Sequence, residues 1–207
     1  MRKIMFKYRI PQIVRWIYPN YTWKVKTQSK VVYFTFDDGP HPTITPWVLD
    51  LLKQYQAKAT FFVVGENVTK FPETFQQVIK EGHAVGNHTY NHLKGWETEK
   101  DDYIQNFLLC QKLTQTSLFR PPYGRIKKQQ AKEILKTHQI IMWDRLSRDY
   151  ETHLNIEESI QSMKALPAMG AIFVFHDSDK AFNNLKVLLP ELLSYFTSNG
   201  YRFELLK

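Results

Sequence analysis

The chain has 207 residues, of which 43% are apolar and 23% are charged, so it is long and apolar enough for one domain with a buried core. Its 8 glycines and 10 prolines and the lack of repetitive tracts exclude collagen-like, linker and low-complexity classes. Apolar runs such as 171–175 are far shorter than the roughly 20 residues that span a bilayer, so an integral membrane protein is not expected. A single cysteine, Cys110, excludes an intramolecular disulfide and a zinc site built on paired thiolates. Any metal must therefore be bound by His and carboxylate groups.

Positive charge is concentrated at the start of the chain. The formal net charge is +8, and residues 1–30 contain no acid but hold Arg2, Lys3, Lys7, Arg9, Arg15, Lys24, Lys26 and Lys30. Residues 1–18 contain neither an apolar core of about seven residues nor a small-residue cleavage site, as a signal peptide would. We therefore predict a retained basic N-terminal arm over residues 1–30, a cytoplasmic location and peripheral contact of the arm with an anionic membrane. Nucleic acid is not expected as a partner because no nucleic-acid motif is present. The oligomeric state is left open.

Short β-rich runs alternate with amphipathic segments of helical length along the whole chain. Seven runs are candidate strands: 31–36, 60–64, 83–86, 118–120, 140–143, 171–175 and 202–206. Six segments between them are candidate helices: 45–55, 73–80, 97–113, 127–138, 156–165 and 185–198. This alternation predicts an α/β fold, a distorted (β/α) barrel of about seven parallel strands, shorter than the usual eight-stranded form.

Polar residues cluster where the predicted strands end, which is the rim at which barrel enzymes carry their sites. Two adjacent carboxylates, Asp37 and Asp38, follow the first strand, and a hydrolytic metal site needs one carboxylate as ligand and another as base. Asp-Gly pairs are also common in turns, so this pair alone is compatible with a structural role. His88 and His92 are spaced i and i+4, and Asp38 is the candidate third ligand of a site with an open position.

Two further motifs carry candidate catalytic groups. Arg120-Pro-Pro-Tyr123-Gly124 is a stiff turn, and the Tyr123 backbone N–H is a candidate oxyanion donor because such a donor must be aimed in advance. His176 ends an apolar strand and is a candidate general acid. Asp149 is the favoured carboxylate to hold it protonated, ahead of Asp177, which is too close in sequence to face the ring easily.

The chain resembles the polysaccharide deacetylases of carbohydrate esterase family four, also called the nodulation-factor deacetylase homology domain. The likeness covers 31–207, which we treat as the catalytic domain, and its first three motifs together are highly specific. Five family motifs occur in the right order: 35–39, 88–92, 120–124, 143–150 and 174–176.

The resemblance implies a role for each matching residue. Asp38, His88 and His92 would bind a divalent metal, zinc or cobalt, and Asp37 would be the general base, oriented by Arg120. The Tyr123 backbone would help to hold the oxyanion, and His176, tuned by Asp149, would protonate the departing amine. Trp143, Tyr150 and Val174 would contact substrate. Tyr150 replaces the usual Trp and Val174 the usual Leu, so acyl preference is open to change.

The expected activity is metal-dependent removal of N-acetyl groups from glycans containing N-acetylglucosamine, such as peptidoglycan or chitin-like chains. One alternative is hydrolysis of another acyl amide. Another is a catalytically silent glycan-binding module that uses Trp47, Trp96 and Trp143 as stacking surfaces. The complete set of candidate ligands, base and acid favours the enzyme.

Overall fold

A computed structural model describes residues 7–207 and shows a curled parallel sheet wrapped by helices. The strands of this part of the chain pair in the order β5-β4-β3-β2-β1-β7-β6, and β8 pairs with the start of β1. They are β1 (Val31–Asp37), β2 (Ala59–Val63), β3 (Ala84–Asn87), β4 (Leu118–Phe119), β5 (Gln139–Ile140), β6 (Arg145–Leu146), β7 (Ile172–His176) and β8 (Arg202–Phe203). All strand pairs are parallel, so the predicted distorted (β/α) barrel is confirmed.

Strand β1 is the centre of the sheet. All seven of its residues are buried, as expected for a parallel strand covered on both faces. Its partners are β2 on one side and β7 on the other, and the register places Asp37 beside His176. The ring of Phe34 packs against four other phenylalanine rings at centroid distances of 4.9 to 6.1 Å. This core holds β1 and β7 in register, so that their polar ends, Asp37 and His176, lie side by side at the same edge of the sheet.

Helices cover the outside of the sheet. They are α1 (Gln12–Ile17), α2 (Ile44–Gln54), α3 (Gly65–Lys70), α4 (Pro72–Lys80), α5 (Lys100–Thr114), α6 (Lys128–Ile134), α7 (Ile156–Lys164) and α8 (Asp179–Ser198), with a short 3₁₀ turn at Pro122–Gly124. Helix α2 shows the pattern that the sequence predicts, because Val48, Leu49 and Leu52 are fully buried against the core. Within the described residues, no helix is both long and apolar enough to cross a membrane.

The sheet does not close by direct pairing of its two end strands, β5 and β6. Instead, residues 22–25 bridge the gap: Thr22 hydrogen-bonds with Ile140 and Met142, both at 2.8 Å, and Val25 N–H donates to Gly170 at 2.9 Å. The predicted strand 140–143 is therefore wrong in its extent. Strand β5 ends at Ile140, and β6 begins at Arg145 as a separate strand that the sequence did not indicate.

The predicted basic arm packs onto the barrel from its first described residues. Tyr8 and Trp23 are buried, and Arg15 forms an ion pair with the buried carboxylate of Asp144. Arg2 and Lys3 lie outside the described residues. Residues 7–30 thus contribute to the core and to the closure of the barrel.

Candidate active site

A groove of about 590 Å³ opens where β1, β3 and β7 end. It lies on the rim that the strand pattern predicts for the site. The groove contains most of the predicted site residues, and its lining is Asp37, Asp38, His88, His92, Tyr123, Gly124, Arg125, Trp143, Leu146, Tyr150, Val174, His176, Ser178 and Lys180.

The turn after β1 separates the two adjacent carboxylates. Asp38 has a φ of 82°, a left-handed conformation that directs its side chain away from the line of the strand. The next residue must be small, because a Cβ at Gly39 would overlap the carboxylate of Asp177. That carboxylate accepts a hydrogen bond from Gly39 N–H at 3.0 Å and another from the Thr45 hydroxyl. Asp37 therefore continues the strand, whereas Asp38 projects into the groove.

Asp38, His88 and His92 form a cluster of metal-ligating type. One candidate ligand atom from each lies within 4.8 Å of the other two, and Asp38 Oδ1 is 3.2 Å from His92 Nε2 and 3.9 Å from His88 Nε2. His88 Nδ1–H donates to the Arg120 carbonyl at 2.7 Å, which leaves its Nε2 lone pair facing the cluster. The donor set of two imidazoles and one carboxylate fits a divalent ion with an open position.

The charge states of this cluster also suit a cation. Burial lowers the pKa of His88 to about 4, despite the opposing effect of the Asp37 carboxylate, so its imidazole is neutral near pH 7. Desolvation alone would raise the pKa of Asp38, but the hydrogen bond from His92 and the charge of His176 hold it well below its usual range. A neutral imidazole and an ionised carboxylate are the forms that ligate a metal.

Arg120 holds Asp37 in place. Its guanidinium is fully buried and donates to Asp37 Oδ1 at 2.7 Å. Its other donors bind Thr35 Oγ1 and two main-chain carbonyls at 2.6 to 3.1 Å, and the ring of Phe62 lies 4.1 Å from its central carbon. Because the arginine is fixed on several sides, the position of the Asp37 carboxylate is fixed as well.

His176, which is half-buried at the groove, forms a second pair with the buried Asp149. His176 Nδ1–H donates to Asp149 Oδ1 at 2.7 Å, and the His176 backbone N–H donates to Oδ2 at 2.8 Å. Burial alone would lower the pKa of His176, but the charge and hydrogen bond of Asp149, helped by Asp38 and Asp37, raise it to about 9. The imidazole is therefore protonated near neutral pH.

The rest of the groove is formed largely by aromatic side chains. Tyr123 has a φ of 59° and is 55% exposed, with its ring 4.6 Å from that of His92. Trp143 packs against Gly124, where a Cβ would overlap the indole. Tyr150 meets His176 edge to face at 5.0 Å, while Val174 is buried at the base. The structure thus brings Trp143, Tyr150 and Val174 into the groove, where the sequence interpretation placed its substrate contacts.

Three contributors were missed by the sequence interpretation. Asp177 had been considered only as a partner for His176, but it supports the turn of Asp38 and Gly39, and burial raises its pKa to about 7 despite the Thr45 hydrogen bond. Ser178 and Lys180 line the groove from the start of α8. Their position directly after a strand end was the signal that could have identified them.

Comparisons with known proteins identify the family. Residues 24–142 match the family model described as polysaccharide deacetylase. The chain belongs to the polysaccharide deacetylase family. The family resemblance inferred from the sequence is therefore confirmed, and the protein is a deacetylase of the hydrolase class.

Similar polysaccharide deacetylases act on more than one glycan. A peptidoglycan-N-acetylglucosamine deacetylase of Bacillus cereus is 37% identical over 88% of this chain and 89% of its own length. A chitooligosaccharide deacetylase of Azorhizobium caulinodans is 30% identical over 74% of this chain and 77% of its own. A crystal structure of a peptidoglycan N-acetylglucosamine deacetylase, 28% identical, superposes with a TM-score of 0.84 over 93% of this chain and 94% of that one.

Proposed function

We propose that this polysaccharide deacetylase removes N-acetyl groups from glycans containing N-acetylglucosamine, using a zinc ion held by Asp38, His88 and His92. The observation that carries the proposal is the pairing of Asp37 with His176 across β1 and β7, with the candidate metal cluster beside them. A carboxylate and a protonated imidazole at one register position are a base and an acid for the same substrate. Two imidazoles and one carboxylate are a ligand set typical of catalytic zinc.

Each residue of the site has a separate role in amide hydrolysis. A zinc ion held by Asp38, His88 and His92 would act as a Lewis acid and would lower the pKa of water. Asp37, held by Arg120 at 2.7 Å, accepts the proton of the attacking water. The Tyr123 N–H donates to the oxyanion that develops on the acetyl carbonyl. His176 then gives its Nε2 proton to the amide nitrogen, which is a poor leaving group until it is protonated.

The shape of the groove supports a glycan substrate. It is open at the surface and carries the exposed ring of Tyr123 at its rim, and aromatic rings of this kind stack against apolar faces of ligands. At its base, the buried Val174 replaces a Leu of the family pattern. The acetyl pocket is thereby larger by about one methylene, which relaxes discrimination between acetyl and propionyl amides to about tenfold. Val174→Leu is expected to restore discrimination between acetyl and propionyl amides. An unchanged ratio of the two hydrolysis rates would show that Val174 does not line the acetyl pocket.

Metal content provides the first test. The double variant His88→Ala, His92→Ala is expected to lose the ion measured by elemental analysis, while a control variant at the exposed His153 keeps it. Stoichiometric zinc retained by the double variant would refute the assignment of the ligands.

The second test separates the base from the ligands. Asp37→Asn is expected to retain the metal and to lose several orders of magnitude in the release of acetate from glycans, followed by mass spectrometry. An active variant would show that Asp37 is not the base, and loss of the metal together with activity would show that it is a ligand.

A further inference from the structure

Helix α1 presents an apolar surface that the barrel does not use. Ile13, Trp16, Ile17 and Tyr18 are 47 to 70% exposed. All four belong to the same short segment, the helix and the residue that follows it. We define these four side chains, with the exposed lysines Lys24 and Lys26, as the α1 surface. Lys24 and Lys26 line a shallow depression that also contains three residues of α1, namely Gln12, Arg15 and Trp16.

The orientation of α1 is fixed from below. Arg15 pairs with the buried Asp144, Ile10 N–H donates to the Asp144 carbonyl at 3.3 Å, and Trp23 Nε1–H donates to the Tyr18 carbonyl at 3.1 Å. Val14 packs on the apolar cluster around Trp23. Because these contacts hold the inner side of the helix, the apolar side chains of Ile13, Trp16 and Ile17 are displayed rigidly to solvent.

The exposed charged side chains of the α1 surface are both positive, and the nearest carboxylate, Asp144, is buried beneath the helix and paired with Arg15. The chain contains no Asp or Glu before Asp37, and Lys24 and Lys26 have no ion-pair partner within residues 7–207. The described lining of the adjacent depression likewise holds three cations and no carboxylate. An exposed Trp and Tyr beside Ile side chains and lysines is the composition of surfaces that bind at the boundary of anionic lipid headgroups and acyl chains.

We propose that the α1 surface docks on an anionic lipid bilayer. A second copy of the chain is a poorer occupant, because a symmetric dimer through this face would bring the lysines of both copies together without an intervening acid. A soluble polyanion is also a poorer occupant, because it would pair with the lysines but leave the apolar side chains exposed to water. A bilayer with anionic headgroups matches both components at once.

Docking in this way leaves the catalytic groove free. The contacts that support α1 are made to Asp144, just before β6, and the segment of Lys24 bridges to Ala171, just before β7. His176 lies at the other end of β7, about 16 Å away for five residues. The α1 surface and the groove share no lining residue. A protein bound through α1 would therefore keep the lining of its groove out of the residues that contact the lipid.

The experiment is co-sedimentation of the full chain with vesicles of phosphatidylglycerol and phosphatidylcholine, compared with phosphatidylcholine alone. Binding is expected to the anionic vesicles and to weaken as salt is raised. Trp16→Ser, Ile17→Ser is expected to weaken binding by at least about tenfold, and Lys24→Gln, Lys26→Gln by about fivefold for each lysine. The control Ile79→Ser, Val187→Ser removes exposed apolar side chains elsewhere and is expected to bind as the parent does.

Several outcomes would overturn the proposal. These are unchanged binding by the Trp16 and Ile17 double variant, equal binding to neutral vesicles, and binding to dextran sulfate that is as tight as to vesicles. A dimer in analytical ultracentrifugation that the same double variant abolishes would identify the face as an interface between copies. Circular dichroism melting of each variant verifies folding, which is expected to be unchanged because the altered side chains are exposed.

Discussion

Substitution of Asp149 by Asn is expected to move the alkaline limit of activity. Asp149 receives two hydrogen bonds from His176, at 2.7 and 2.8 Å, and its charge has the largest effect that raises the pKa of that imidazole, from an ordinary 6.5 to about 9. Asn fills the same space without the charge. The imidazolium then loses its main stabilising partner, while the smaller effects of Asp38 and Asp37 remain.

The size of the effect follows from the protonated fraction of His176. With a pKa of about 9, roughly nine-tenths of the imidazole is protonated at pH 8. If the pKa returns to the ordinary 6.5, the protonated fraction at pH 8 is roughly 3%, so turnover falls about thirtyfold. Below about pH 6 the imidazole is protonated in both proteins, and the difference should nearly vanish.

The assay is the pH dependence of kcat/KM for acetate release from an N-acetylglucosamine oligomer. The alkaline limb of the variant should move to lower pH, while its acid limb and metal content stay the same. The control Asp179→Asn alters an exposed carboxylate that contacts His41 and should not move either limb. A uniform loss at every pH would refute the reasoning, because it would show that Asp149 acts only by holding the ring in place.

The same pair predicts a dependence of stability on pH. Since the pKa of His176 is higher in the folded chain than its ordinary value, the pair contributes stability that is complete below about pH 6.5 and is lost as pH rises through about 9. Urea unfolding midpoints across this range should therefore fall more steeply for the parent than for Asp149→Asn. An equal slope in the two proteins would contradict a charged His176.

Three other substitutions probe how the site is supported. Gly39→Ala places a Cβ against the Asp177 carboxylate and should cost about 1 to 3 kcal/mol in urea unfolding, with weaker metal binding by titration; unchanged metal affinity would contradict the role of this turn. Arg120→Leu leaves Asp37 without its buried partner and should cost about 3 to 5 kcal/mol, so a loss below 1 kcal/mol in urea unfolding would be inconsistent with a desolvated pair. Phe34→Ala empties the middle of the aromatic cluster and should cost about 3 to 5 kcal/mol, whereas the metal stoichiometry of the folded fraction should remain that of the parent.

The sequence predicts which residues meet in the groove, because barrel topology brings strand ends together on a common rim. Asp37, His88 and His176 each directly follow or end an apolar run, and parallel strands bring those ends together whatever the lengths of the intervening helices. The motif spacing then identifies the family, which supplies roles that spacing alone leaves open. Val174 was expected in the site only from the family resemblance, and the structure places it two residues before the end of β7.

The sequence was less informative about elements whose position depends on tertiary contacts and is not marked by a local hydrophobic pattern. Strand β6 has only two residues, Arg145 and Leu146, and its charged member is fully buried against the barrel, so no apolar periodicity marks it. Residues 22–25 form no regular element, although they hydrogen-bond to Ile140 at the end of β5 and to Gly170 just before β7 and so help to close the barrel. The conformation of such an irregular segment depends on the tertiary contacts around it, so the hydrophobic periodicity of the sequence does not predict it.

The structure also shows why two adjacent aspartates can hold different positions. Asp37 is the last residue of β1, and its carboxylate is fixed by Arg120 from the side of β4 and β5. Asp38 has a left-handed backbone, its carbonyl accepts from Asn67 at 2.7 Å, and the next residue is held by Asp177 from the side of β7. Each carboxylate is therefore oriented by a different part of the barrel. The proposed base and the proposed ligand can occupy neighbouring positions in the chain because the turn between them is supported independently of the strand.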